Sequence, residues 1–163
     1  MSQTLITIVI PIMLALLAGL VALTQVKSNI ISSARVKWVE DLRSLLSLYC
    51  SELENCSKLK LDFNDEVKKW NDENDQYIKE KFYEPYAHSA NEVLKLQSKT
   101  FLYLNPDNPA HKEILELVRM NSVLVHEKYV DHRQAIQENI QKIISLAQRL
   151  FETEMEKAKK LFG

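Results

Sequence analysis

The sequence predicts an all-α protein: an N-terminal transmembrane helix that continues into a cytoplasmic antiparallel helical bundle and assembles as an oligomer. Three observations lead there. No charged side chain occurs before Lys27, and Leu5 to Leu23 is an almost unbroken apolar run. Only two glycines and four prolines occur in 163 residues, so few chain reversals are available. Beyond the run, apolar residues return every three or four positions, the period of a helix face rather than of a strand.

The run holds about 19 apolar residues, which at 1.5 Å each cover roughly 28 Å of a ~30 Å bilayer core. A cleaved signal peptide would open on basic residues and end at a small-residue cleavage site. Met1-Ser-Gln-Thr has no basic side chain, and Ala22-Leu-Thr-Gln is a poor cleavage site, so the anchor is the preferred reading. A soluble helix buried on all sides fits a domain of this size less well. Lys27, Arg35 and Lys37 follow the span. Positive charge on that side places the N-terminus outside and the bulk of the chain in the cytoplasm. The expected division is therefore residues 1–26 as transmembrane helix and residues 27–163 as cytoplasmic helical bundle.

The first helix is expected to run from Gln3 to Ser57, about 80 Å by the helical rise. Neither glycine nor proline lies between Thr24 and Ser57, and Ile31, Trp38, Leu42, Leu45, Tyr49 and Leu53 form its stripe. Residues 58–81 are dense in charge of both signs, which predicts a short solvated helix and a loop near 71–75. A second main helix is expected over Tyr83–Leu104, with Pro85 in its first turn. Leu104-Asn-Pro-Asp-Asn-Pro-Ala then breaks the chain. Asn105 precedes Pro106 and is pushed out of the helical region, and Asn108 can cap a new helix with Pro109 in its first turn. That third helix should reach Glu127 and bury Ile114, Leu115, Leu117, Val118, Val123 and Leu124. The fourth runs from Asp131 to Phe162, with lysines crowding its C-terminal end, where the helix dipole favours them.

Composition excludes several chemistries. A net charge of −1 carries no general field for nucleic acid. Two glycines cannot build a phosphate-cradling loop, and neither the P-loop nor the dinucleotide-binding pattern occurs. His88, His111, His126 and His132 show no metal-ligand spacing, and Cys50 and Cys56 give neither a zinc pattern nor a plausible mutual disulfide. No catalytic residue, metal or cofactor is expected, and the chain is not read as an enzyme.

The span itself is patterned. Pro11, Ala15, Ala18, Ala22, Gln25 and Asn29 are spaced four, three, four, three and four, one face in a heptad rhythm. Every member is small or polar or is proline, and Gly19 lies beside them. Small faces let membrane helices approach, and polar side chains hydrogen-bond across. Three readings stay open: ordinary membrane-helix composition, a packing seam between copies, and the lining of a pore. For a ligand, Lys95 and Lys99 share a helix face, Arg119 and Arg133 lie on the following helices, and Tyr83, Tyr86, Tyr103 and Tyr129 offer ring faces. Basic grooves with stacking aromatics hold single-stranded nucleic acid, although acidic neighbours make a plain solvated face the simpler reading of each residue.

Three segments resemble a family of small bacterial membrane proteins. After the span comes Arg35-Val-Lys-Trp38-Val-Glu-Asp-Leu42-Arg43. Then comes Leu102-Tyr-Leu-Asn-Pro106-Asp-Asn-Pro-Ala-His111-Lys-Glu-Ile-Leu115. The end reads Leu150-Phe-Glu-Thr-Glu154-Met-Glu-Lys-Ala-Lys-Lys160, with Met155 where tryptophan is usual. The pattern is similar to membrane effectors of bacterial anti-phage defence, the Hailong type among them. The resemblance implies a homo-oligomeric ion channel of the bacterial inner membrane, a tetramer by preference. It also implies control by an oligodeoxyadenylate-like signal from a partner nucleotidyltransferase. It carries over no ligand-binding residue. The alternative expectation is a membrane-anchored scaffold that recruits a cytoplasmic partner and forms no pore.

Overall fold

The computed structural model describes residues 2–70, 75–127 and 130–162, with side chains placed from residue 12 to residue 160. It is all-helical, with no strand among the described residues. The helices are α1 (Ser2–Val67), α2 (Asp75–Ile78), α3 (Glu84–Tyr103), α4 (Pro109–His126) and α5 (Arg133–Phe162), with a π-helical turn over Lys79–Tyr83 before α3. By contacts the chain divides into two compact units: Met1–Val39 with Glu152–Gly163, and Glu40–Phe151. This division follows packing, whereas the expected one at residue 27 follows the surrounding medium.

The first unit holds the apolar part of α1 and the end of α5. Every described side chain from Ile12 to Ile31 is exposed except Ser28, which is half-buried. The side chains include Leu14, Leu16, Leu20 and Leu23, the last 69 % exposed. Cover begins at Ser32, whose buried hydroxyl donates to the Ala158 carbonyl at 2.9 Å. One turn on, Arg35 pairs with Glu154 at 3.3 Å, and Lys157 holds the same carboxylate. The pairs 32–158 and 35–154 run in opposite senses, so α1 and α5 are antiparallel here.

The second unit is built on a heptad seam. Leu42, Leu46, Tyr49, Leu53, Cys56 and Lys60 are all buried on α1, at alternating spacings of four and three. On α4 the buried set is His111, Ile114, Val118, Asn121 and Val125, in the same rhythm. Ser89, Ala90, Val93 and Thr100 are the buried residues of α3. Ile136, Ile140, Ile143, Ala147 and Leu150 complete the core from α5. Polar ties fix the register. Tyr49 donates to the Val118 carbonyl at 3.2 Å, and Ser89 donates to the Glu52 carboxylate. Asn139 Nδ2 donates to Asn121 Oδ1 at 2.9 Å.

Several expectations are refined. α1 does not stop at Ser57 but continues to Val67, and there is no separate helix over 58–67. The charges lie on its outer side while Lys60 and Asn64 turn inward. It ends in tightened turns, Lys69 N–H to the Glu66 carbonyl at 2.9 Å and Trp70 N–H to that of Val67 at 3.1 Å. The loop expected at 71–75 lies outside the described residues up to Asn74. Val123, expected in the core, is exposed. It stands two positions from both Asn121 and Val125, about 200° around the helix from each.

The turn before α4 forms as its residues dictate. Asn105 Oδ1 accepts from the Asp107 N–H at 2.9 Å, and Asn108 Oδ1 accepts from the Ala110 N–H at 3.0 Å. His111 reaches back from α4, and its Nδ1 accepts from the Asn105 N–H at 3.0 Å.

The Asn121–Asn139 pair yields a test. The Nδ2 of Asn121 is buried without a hydrogen-bond partner, so the pair is only partly satisfied. Asn139→Ala should cost about 1–3 kcal/mol by leaving the Asn121 oxygen unpaired too. The double variant Asn121→Leu with Asn139→Leu should cost less than the sum of the two single substitutions to leucine. Denaturant unfolding followed by circular dichroism reads the cycle.

Candidate functional site

Two regions hold the side chains that the sequence singles out. The first is the patterned face of the span. Ala15, Ala18, Ala22, Gln25 and Asn29 are all exposed, as are the large apolar residues around them. A Cβ added to Gly19 would meet nothing within 4 Å. That face is bare and narrow, open to close approach. The Pro11 side chain lies outside the described residues. The helix is long and apolar enough to cross a membrane, with a mean hydropathy of 1.6 over its most apolar window and none of that window buried.

The second region is the helical unit, where the expected ligand residues are spread out. Lys95 is exposed and paired with Glu92 one turn before it on α3. Lys99 is exposed on the same helix. Arg119 of α4 lays its guanidinium 5.9 Å from the centre of the Phe101 ring, which ties it to α3. Arg133 opens α5 and grips Asp131 through Nε and Nη2 at 3.0–3.2 Å. That grip holds the Asp131 carboxyl below its usual range. Lys95, Lys99 and Arg119 lie outside the cavity lined by Phe63, Tyr83 and Tyr86, and Arg133 lines a small neighbouring pocket with Lys60 and Asn64. Of the four tyrosines, Tyr83 and Tyr86 come together, Tyr103 is elsewhere on α3, and Tyr129 lies outside the described residues.

What the structure brings together instead is a cavity of about 420 Å³ among α1, α3 and α4. One wall is aromatic. Phe63 lies 5.5 Å from Tyr83 and 5.9 Å from Tyr86, nearly parallel to the latter. The π-helical turn that ends at Tyr83 adds a residue to one turn and aims that ring. Opposing polar groups are the ammonium of Lys60, the amides of Asn64 and Asn91, and His126. Lys60 is only 5 % exposed. Its Nζ donates to the Leu124 carbonyl at 2.8 Å, and burial lowers its pKa against the opposing pull of Glu127. The Tyr86 hydroxyl donates to the Val125 carbonyl at 2.9 Å, and burial raises its pKa. Two carbonyls near the C-terminal end of α4 are thus capped from neighbouring helices.

Lys60, Asn64 and Asn91 were not singled out by sequence reasoning. A lysine in a charge-rich stretch reads as solvated surface. The available signal was spacing: residues 60, 63 and 64 share one helix face, and 83, 86, 87 and 90 another.

No cluster of potential metal ligands occurs among the described residues. Both cysteines are free, and burial pushes each thiol up to about 11. Below pH 9 they are thiols whether the protein is folded or not. Between pH 9 and about 11 only the unfolded chain ionises them, so stability should fall across that window. At pH 8 the native protein should resist a thiol reagent and release two reactive thiols on unfolding, as colorimetric titration would show.

No family model matches the chain, and neither the curated proteins nor the solved structures contain a match.

Proposed function

We propose that this chain is a homo-oligomeric membrane effector whose spans surround a ligand-gated ion path. One observation carries the reading: from Ile12 to Leu23 every side chain of the apolar helix is uncovered, and one of its faces is small and polar. Uncovered apolar surface of that extent calls for lipid or for other helices. Ala15, Ala18 and Ala22 suit contact between copies, and Gln25 and Asn29 suit either hydrogen bonds across the seam or a wet pore. The basic residues after the span support an outside N-terminus and a cytoplasmic helical unit that senses the signal. The resemblance to anti-phage effectors supports the bacterial inner membrane, a tetramer, and a nucleotide-derived signal from a partner nucleotidyltransferase.

A membrane-anchored scaffold without a pore is the second reading. Exposed apolar side chains on α3 and α4 favour it, among them Met120, Val123 and Leu102, the last 87 % exposed.

Recording from planar bilayers separates the two. The channel reading expects discrete conductance steps, altered several-fold by Gln25→Leu. A silent bilayer across voltages and nucleotide additions sinks it.

Ala22→Cys tests the seam independently of ion flow. Oxidation should crosslink it between copies, because copies meeting there bring the Cα atoms within about 7 Å. The native thiols, Cys56 buried and Cys50 half-buried, supply the quiet background. An Ala22→Cys protein that stays monomeric under oxidation in membranes overturns the oligomer.

A further inference from the structure

The cavity between α1, α3 and α4 contains a group that core packing does not account for. Asn64 is only 8 % exposed, lines the cavity, and its amide makes no hydrogen bond among the described residues. Its amide atoms open onto the cavity rather than being sealed in the core, so they are available to a guest. Lys60 points the same way. It has three donors, and one goes to the Leu124 carbonyl. The carbonyls of Leu124 and Val125, which would repel an anion, already accept from Lys60 and Tyr86. Among the described residues no carboxylate lines the cavity, and Glu127 and Asp131 act on Lys60 from outside that lining.

The remaining lining narrows the guest. Phe63, Tyr83 and Tyr86 make an aromatic wall against which a planar ring stacks. The amides of Asn64 and Asn91 each present a donor beside an acceptor, the pattern that pairs with the edge of a nucleobase. A volume of about 420 Å³ lies in the range of small-molecule sites.

We propose that this cavity binds a small anionic molecule with a planar heteroaromatic ring, the chemistry of a nucleotide. The ring lies on the Phe63–Tyr83–Tyr86 wall, its polar edge meets Asn64 and Asn91, and its anion meets Lys60. The site belongs to the sensing unit of the proposed effector, and its role as a gate rests on that reading, though binding itself does not.

The test uses the full-length protein in detergent and calorimetric titration with AMP, adenosine and inorganic phosphate. AMP should bind, and adenosine and phosphate alone should each bind at least about tenfold more weakly. Phosphate that binds as tightly as AMP overturns the stacked ring. Tyr83→Ala should weaken AMP about tenfold. Tyr83 is exposed and its hydroxyl caps no backbone group, so the fold should survive the change. Asn64→Leu is the sharper variant. It should weaken AMP by about tenfold while leaving the thermal midpoint of the free protein little changed, because the amide holds no other described side chain.

No heat with AMP at millimolar concentration overturns the site. So does AMP binding that both variants leave intact. Bilayer recording separates this failure from failure of the channel. AMP binding lost in both variants, with no current under any condition, upholds the site and removes the channel. A nucleotide-opened current unchanged in Asn64→Leu upholds the channel and removes the site.

Discussion

One constraint governs the chain: α1 is a single helix that is bare of protein over one stretch and packed in a helical core over the next. A helix satisfies its own backbone, so it can leave protein cover without exposing N–H and C=O groups to lipid. From Ile12 to Ile31 only Ser28 has any protein cover, and the side chains decide what surrounds the rest. At Ser32 the requirement changes. Its buried hydroxyl must find a partner, and the Ala158 carbonyl provides one. From Val39 onward the buried positions keep a heptad count to Lys60. Pro11, Ala18 and Gln25 belong to that same count, seven apart from Ser32, Val39, Leu46, Leu53 and Lys60. The register of small residues in the span and the register of core residues in the bundle are therefore one pattern with two vocabularies.

Within the second unit, the buried face of α1 changes in polarity along its length. Around Leu42 and Leu46 the buried side chains are aliphatic, and toward the far end of α1 they become Lys60 and Asn64. Aliphatic packing repays its own ordering by removing apolar surface from water. A buried ammonium gives no such return and is tolerated only where oxygen atoms face it. The Leu124 carbonyl does so at the end of α4, where the helix itself leaves carbonyls unsatisfied. A cation inside the core and an unfinished helix end thus solve one another's problem. The cavity lies where this polar arrangement stops the helices from closing.

Local signals made much of the fold legible. Asn108 and Pro109 located the start of α4 because capping and proline geometry are set by neighbours in sequence. Scarcity of glycine and proline foretold long helices for the same reason. The reading failed where tertiary context decides. Residues 58–67 looked like solvated surface because Lys58, Lys60, Asp62, Asp65 and Glu66 outnumber the four apolar residues, although a continuing α1 places only one face outward. Val123 looked like core because Val suits core, yet the heptad line of α4 passes it by. Lys95 and Lys99 were correctly placed on one face, but spacing could not reveal that Glu92 holds Lys95. The cavity joins residues 60–64, 83–91 and 126, and no motif spans such separations.

The amides of Gln25 and Asn29 bear on what copies of this chain could do together. Lone polar side chains on a lipid-facing helix are disfavoured, and pairing across a seam relieves them. In a tight dimer, small residues at Ala18 and Ala22 would bring the backbones close enough for Gln25 to reach its counterpart. With more copies the spans stand further from their common axis, direct pairing weakens, and the amides keep their partners only if water enters. The same two residues that make a close dimer stable would thus make a wider ring wet. Subunit number, rather than any further residue, is the variable that divides an anchor from a conducting path on this reading.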